Sequence, residues 1–300
     1  MRLPTPPWPS LPPAQQTRHP VPLRYEDLSQ DGRLMVATLG PLYGAVAWKE
    51  MLQQAPMAAA AREQGVVPIL TRLVLDGGVG PFSPALPLEV EAGYALAHSL
   101  DERGEVARLH LEIWADARGP RSHAYDLIAT PGPEQQAGRV YAEHVFTRLF
   151  APPGERKVLR LDLPDLPPVP PRRIEPVSAE AMLSLPEDAE PLDMPDVDRT
   201  MALFSLGHTD SNQHVNSLVY PRLFEDAALR KLRSCGVTTA LLVRHADCLY
   251  RKPFFAGEAA WVKVQVFAQG DSFGAVGAFF PEKEGPEGRP GVLVRLRFER

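Results

Sequence analysis

The sequence predicts an α+β fold in which one plan is used twice. Three observations predict it. Segments of strand-like alternation far outnumber the two long stretches of helical composition. The order strand, helix, then four or more strands occurs in each half. The pieces flanking the two helices also match in kind. Ser29-Gln30-Asp31-Gly32 precedes the first helix as Asp210-Ser211-Asn212-Gln213 precedes the second. Each helix ends in Gly-Val (Gly65-Val66, Gly236-Val237), and a Pro-Phe pair follows (Pro81-Phe82, Pro253-Phe254).

Taken in order, residues 1–20 are a proline-rich arm. Pro4, Pro6, Pro7, Pro9, Pro12, Pro13 and Pro20 forbid regular structure there, and Trp8 can pin the arm to the surface. The first unit spans 21–150. It starts with a strand over 21–26 and a turn over 27–32. The stretch 34–39 is a strand or a buried loop. Ala, Met, Gln and Glu make 45–64 helical, with Pro56 breaking or kinking it. Strands follow over 66–75, 88–100, 105–115, 122–129 and 139–150. A proline-rich linker, 151–197, holds Pro167-Pro168-Val169-Pro170-Pro171 and reads as extended polyproline segments, with a short helix over 178–185 capped by Ser178. The second unit spans 198–300. A strand over 198–206 leads through a polar loop to a helix that Ser217 caps and Gly236 ends, with Pro221 in its first turn. Strands over 240–250, 259–268, 273–280 and 291–298 close the chain.

Composition narrows the function. Of 300 residues, 44% are apolar, enough for a sizeable core, and the net charge of −5 gives no overall attraction to nucleic acid or an anionic membrane. No segment is apolar over the roughly 18 residues of a membrane helix, and no leader-like run opens the chain, so a cytoplasmic protein is expected. Two cysteines, Cys235 and Cys248, make neither a disulfide framework nor a zinc site. No metal or cofactor is expected.

The polar loop over 207–217 is the densest chemistry in the chain. Asp210, Asn212, His214 and Asn216 recur at every second position, so in an extended loop Asp210, Asn212 and His214 point to one side. The plain alternative is an Asx-rich turn whose side chains cap the next helix.

The run Asp210-Ser211-Asn212-Gln213-His214-Val215-Asn216, with Tyr220 beyond it, resembles the Asp-x-Asn-x-His-Val-Asn motif of the acyl-acyl-carrier-protein thioesterases. The resemblance implies a tandem, or double, hotdog: in each half an antiparallel sheet wrapped around a central helix. It implies catalytic roles for Asp210, Asn212 and His214. Asp210 orients the site or helps activate water, and Asn212 and His214 hold the thioester carbonyl or the attacking water. That suits the chemistry, since histidine titrates near neutrality and an amide donor can stabilise an oxyanion. Where plant-type members carry a carboxylate in the strand after the helix, this chain has Pro253. The stretch from Tyr250 through Pro253 to Gly257-Glu258 instead resembles the 4-hydroxybenzoyl-CoA thioesterase branch, which often uses an acidic residue on the helix and so draws attention to Glu225 and Asp226. Asn216, Tyr220, Glu225 and Arg251 complete the expected substrate-binding set. Ser29 stands where a loop aspartate would be in the first half, which implies a degenerate unit.

Other polar residues have plainer readings. His208 and His245 read as a surface and a packed histidine, and His110, His123 and His144 show no ligand spacing. Arg222, Arg230, Lys231, Arg233, Arg244, Arg251 and Lys252 form either a solvated face or a dock for an acidic carrier protein or coenzyme A phosphates. The expected function is hydrolysis of acyl-carrier-protein or acyl-CoA thioesters by a monomer or homodimer. The alternatives are a non-hydrolytic acyl-binding or dehydratase-like hotdog and a proline-rich interaction module.

Overall fold

The alternating segments form strands and the two helical compositions form helices, as shown by a computed structural model that describes residues 5–53, 55–123, 132–163 and 166–300. In the first half, β1 (Gln16–Val21) and a helical stretch precede β2 (Val67–Gly77), β3 (Leu88–Leu100), β4 (Val106–Pro120) and β5 (Glu134–Thr147). In the second half, the long helix Val219–Ser234 precedes β9 (Leu242–Tyr250), β10 (Ala259–Gln269), β11 (Ser272–Pro281) and β12 (Val292–Glu299). Short strands β6 (Glu190–Pro191), β7 (Asp196–Val197) and β8 (Ala202–Leu203) lie between. The strand expected over 122–129 falls largely outside the described residues.

All strands join one antiparallel sheet in the order β1-β3-β4-β5-β2-β9-β12-β11-β10-β6, with β7 and β8 also on β10. The spatial order β2-β5-β4-β3 of the first half is the order β9-β12-β11-β10 of the second, read outward from the middle. The repeat seen in the sequence is therefore a repeat of topology. The halves meet where β2 pairs with β9, Val74 opposite Asp247.

Several local expectations differ. The stretch 34–39 is not a strand: helix α1 (Val36–Tyr43) starts there and continues in wider turns over Gly44–Leu52. Its β-branched residues suggest a strand, but burial of Val36, Leu39, Leu42 and Val46 on one side outweighs local preference. Pro41 inside the helix removes a donor, and the ladder widens just beyond it. Pro56 breaks the helix as expected and stands at the start of a new one, α2 (Pro56–Glu63), where its missing N–H is harmless. The arm, expected to be irregular, contributes β1. This strand pairs only with β3, and an edge tolerates Pro20.

The two faces of the sheet differ. Leu73 and Leu75 of β2, Leu111 and Ile113 of β4 and Val294 and Leu296 of β12 join the helices in the main core. Helix α1 lies against β2, β5 and β9; the long helix lies against β9, β10 and β12. Alternate residues on the other face are covered by the arm and linker. Trp8 and Leu11 pack on Val74, Ala95, Trp114 and Tyr141, and Trp114 Nε1 donates to Pro6 O at 3.0 Å. Gly93 makes room for them, since a Cβ there would lie 2.6 Å from Leu11 Cδ1. Further on, Met182 of α3 (Ala179–Leu183) is buried against Ala278, Phe280 and Leu293. Ser178 caps this helix as expected, its Oγ accepting from Ala181 N–H at 3.0 Å. The linker is thus a packed strap rather than a free spacer.

Buried charges lie under this covering. Arg72 donates through Nε and Nη2 to the two carboxylate oxygens of Asp247, at 3.0 and 2.6 Å, across the β2–β9 seam. Glu112 accepts from Tyr141 Oη at 3.0 Å and from Arg172 Nε at 2.5 Å. Among the described residues, no helix is long and apolar enough to cross a membrane.

Candidate active site

The polar loop is a folded-back turn, not the extended segment that its alternation suggests. Thr209 pairs with Val215, Asp210 N–H donates to His214 O at 3.2 Å, and Gln213 N–H donates back to Asp210 O at 2.9 Å. Gln213 takes a left-handed conformation, φ 66°, to close it. Asp210 organises the turn with both carboxylate oxygens. One accepts from Asn212 N–H at 2.9 Å, and the other from the Asn216 side-chain amide at 3.1 Å. Asn216 in turn accepts Leu218 N–H at 2.9 Å, so the chain enters α4 (Val219–Ser234) through an Asx turn at Asn216 rather than through a Ser217 cap. His208 also serves the turn: its Nδ1 accepts Ser205 N–H at 3.2 Å and its carbonyl accepts Asn216 N–H.

Alternation therefore does not bring the three side chains together. Asp210 and Asn216 meet; Asn212 is exposed; His214 is half-buried, with Nδ1 3.3 Å from Val215 O. Val215 is the anchor, buried, its N–H bonded to Phe254 O at 2.8 Å. Beneath it, Phe204, Tyr220, Tyr250, Phe254 and Phe279 form an aromatic bed. Tyr220 is part of that bed, 2% exposed, and its hydroxyl accepts Phe254 N–H at 3.4 Å. Phe254 was visible in the sequence only as half of the Pro-Phe pair; its carbonyl grip on the loop carried no signal of its own. Pro253 and Arg251 are exposed. A left-handed Gln213 costs roughly 1 kcal/mol relative to glycine. Gln213→Gly is expected to raise unfolding free energy by up to about 1 kcal/mol without changing the loop, as urea titration would measure.

Glu225 lies two turns into α4, in the row of Pro221 and Ala228, both buried. Burial, then the charge of Asp226, pushes its carboxyl up to about 7, against the pull of Arg222. Cys248 is buried, and burial pushes its thiol up, which keeps it from acting as a thiolate nucleophile. Four of the basic residues noted above are already engaged: Arg230 with Asp198, Lys231 with Asp193, Arg244 with Glu299, and Lys252 with Glu284.

The first half repeats the turn with other residues. Leu28 pairs with Leu34, Ser29 N–H donates to Arg33 O, Gly32 N–H to Ser29 O, and Met35 N–H to Asp27 O. Gly32 is left-handed, φ 77°, as Gln213 is. Ser29, Asp31 and Arg33 thus stand where Asp210, Asn212 and His214 stand in the second turn. Behind the first turn, Arg244 of β9 reaches across the seam and donates to Leu34 O at 3.0 Å and to Gly78 O. At the second turn, Gly40 of α1 lets Leu218 approach; a Cβ on Gly40 would lie 2.6 Å from Leu218 Cδ1. Each turn is therefore met by the opposite half.

No protein-family model and no curated protein matches the sequence. Solved structures do match. An acyl-ACP thioesterase from Bacteroides thetaiotaomicron is similar at TM-score 0.54 and 14% identity, over 95% of this chain and 97% of that one. The 12:0-ACP thioesterase of Umbellularia californica is similar at TM-score 0.56 and 11% identity, over 97% and 99%. A protein described as an oleoyl thioesterase from Lactobacillus plantarum is similar at TM-score 0.58 and 14% identity, over 95% of each chain. The likeness runs nearly the full length of all three: the chain has the hotdog fold of these thioesterases.

Proposed function

We propose that the chain hydrolyses acyl thioesters carried by acyl-carrier protein or coenzyme A, at the turn from Asp210 to Asn216. One observation carries this reading. The same turn is built twice, and only the second keeps an aspartate clamp with an amide and an imidazole beside it, at the entrance to a long helix. The full-length likeness to acyl-ACP thioesterases supports the substrate class.

In this reading Asp210 positions rather than reacts, because both its oxygens are held by the turn. When His214 donates Nδ1–H to Val215 O, its Nε2 lone pair is left to take a proton from water. The resulting hydroxide adds to the thioester carbonyl. The exposed Asn212 amide, with the positive end of the α4 dipole, stabilises the oxyanion. Collapse breaks the C–S bond, and the imidazolium returns its proton to the leaving thiolate. Asn216, Tyr220, Glu225 and Arg251 are the proposed substrate-binding residues, Tyr220 by shaping the apolar bed. Residues 21–150 form a first hotdog without a working turn, and 198–300 the second, each sheet wrapped on its helix. A cytoplasmic monomer or homodimer is part of the same proposal.

The test is release of free thiol from acyl-CoA and acyl-carrier-protein panels of varied chain length. Steady, chain-length-dependent release is expected. Binding without release would return the assignment to a non-hydrolytic acyl-binding protein, which the proline at position 253 favours.

Glu225 adds a pH signature. Its folded carboxyl titrates at about 7, above the ordinary 4.5. Between those values the folded chain holds a proton that the unfolded chain has lost, so stability falls as pH rises through this window, and the penalty is complete above about 7. Glu225→Gln removes the penalty. Urea unfolding of the variant and the parent should coincide below pH 4.5 and separate, with the variant the more stable by order 1–3 kcal/mol, above pH 7. A gap of equal size at both ends would show that the carboxylate's burial is not the cause.

A further inference from the structure

On the face of the sheet turned away from the helices, the linker crosses over β9, β12, β11 and β10. Pro186 roofs a cavity of about 180 Å³ whose floor carries His245, Arg295 and Arg297. These three side chains alternate with Ala246, Val294, Leu296 and Phe298, which point into the main core, so the cavity and the turn at His214 belong to different surfaces. His245 is 3% exposed and Arg295 6%. Among the described residues, neither Nε–H of Arg295 and Arg297 has a hydrogen-bond partner, and neither has a ring nitrogen of His245.

One terminal nitrogen of each arginine is engaged. Arg295 Nη2 donates to Ala181 O at 2.9 Å and to Ser184 O, which ties it to the end of α3. Arg297 Nη1 meets Glu299 Oε1 at 2.9 Å. Asp76 Oδ1 stands 3.5 Å from His245 Nδ1, and Asp188 accepts from Gln269 at 2.8 Å on the rim. The acids thus hold the outer ends of the cations and the edge of the cavity, while the inner N–H groups stay open. Two guanidinium groups two residues apart on one strand share the same side, and Ser272 adds a hydroxyl to the lining. Burial and the charge of Arg72 disfavour the cationic form of Arg295, against the pull of Asp247, and a bound anion would relieve that. Buried donors without partners, converging on a space larger than one water, are the mark of a site built for an acceptor.

We infer that this cavity binds a small oxyanion, a phosphate or carboxylate group, held by the Nε–H groups of Arg295 and Arg297 with His245 and Ser272. Phe267 and Pro186 supply the apolar part of the lining. Occupancy would tie the linker to the second half of the sheet, because the anion bridges strands whose Arg295 already holds α3.

The experiment is calorimetric titration of the full chain with inorganic phosphate, with acetate, and with ADP, alongside thermal unfolding. Saturable phosphate or acetate binding with a raised Tm is expected. Acceptance of ADP as well would identify the phosphate of a larger ligand; its exclusion would identify a free anion. Arg297→Gln should weaken binding at least tenfold and Ser272→Ala severalfold, while thiol release at the His214 turn stays at the parental rate. Ser272→Ala keeps both cations and tests the site should Arg297→Gln fail to fold. No binding of any of the three anions, or unaltered binding in Ser272→Ala together with Arg297→Gln, would overturn the inference.

Discussion

Replacing His214 by alanine is expected to lower thioester hydrolysis by about a hundred- to ten-thousandfold, the usual contribution of a positioned general base. The geometry makes the variant a clean one. The imidazole is half-buried and touches the backbone only through Nδ1 and Val215 O at 3.3 Å, whereas the turn is held by Asp210, Asn216 and the buried Val215. Removing the ring leaves those bonds in place, so Tm should change little. Substrate binding, measured by calorimetry with a non-hydrolysable thioether analogue, should stay within severalfold of the parent. The paired control is Arg33→His in the first turn, which stands at the matching position but lacks both the aspartate and the asparagine; it should restore nothing to the His214 variant. Turnover in His214→Ala within about tenfold of the parent would remove histidine from the mechanism and leave Glu225 as the candidate base.

The largest stability effect is expected at the seam. Asp247→Leu strips the bidentate carboxylate from the Arg72 guanidinium, which is 2% exposed, and leaves a buried charge beside Arg295. Breaking one partner of such a pair typically costs about 3–5 kcal/mol. Pairing the change with Arg72→Met removes the buried cation as well and should recover most of the loss, since a buried ion pair and an apolar pair of like volume are close in free energy. Urea unfolding of the two single variants and the double variant closes the cycle. An additive result would mean that the two side chains do not depend on each other, against the 2.6 Å contact.

The sequence made the strands and their repetition legible because period-two alternation is local and both halves use it. Strand 88–100 and the four strands of the second half were readable nearly to the residue for this reason. The helix over 36–43 was not, because Val36, Thr38 and Leu39 carry strand-like side chains and become helical only by burying one side against β2 and β5. The seam was invisible, since nothing in the spacing of Arg72 and Asp247 says that they meet. At the site, the residue types were readable from the motif, but their directions were not. Alternation brings side chains to one side only on an extended backbone, and the turn at Gln213 folds it back. Of the two roles expected for Asp210, orienting the site and helping to activate water, the folded turn favours the first, since its two oxygens are held by Asn212 and Asn216.

The seam between β2 and β9 has one more consequence. Were the two halves separate copies of one polypeptide, any residue placed on one side of a two-fold junction would appear on the other, and each contact would be made twice or against its own kind. Arg72 facing Asp247, and Arg244 reaching behind a turn that carries Ser29 where the second carries Asp210, are unlike partners across that junction. Joining the halves in one chain frees each side to mutate alone. One half can then give up chemistry and be reshaped as a wall for the other, at the cost of one working turn where a symmetric pair would have two.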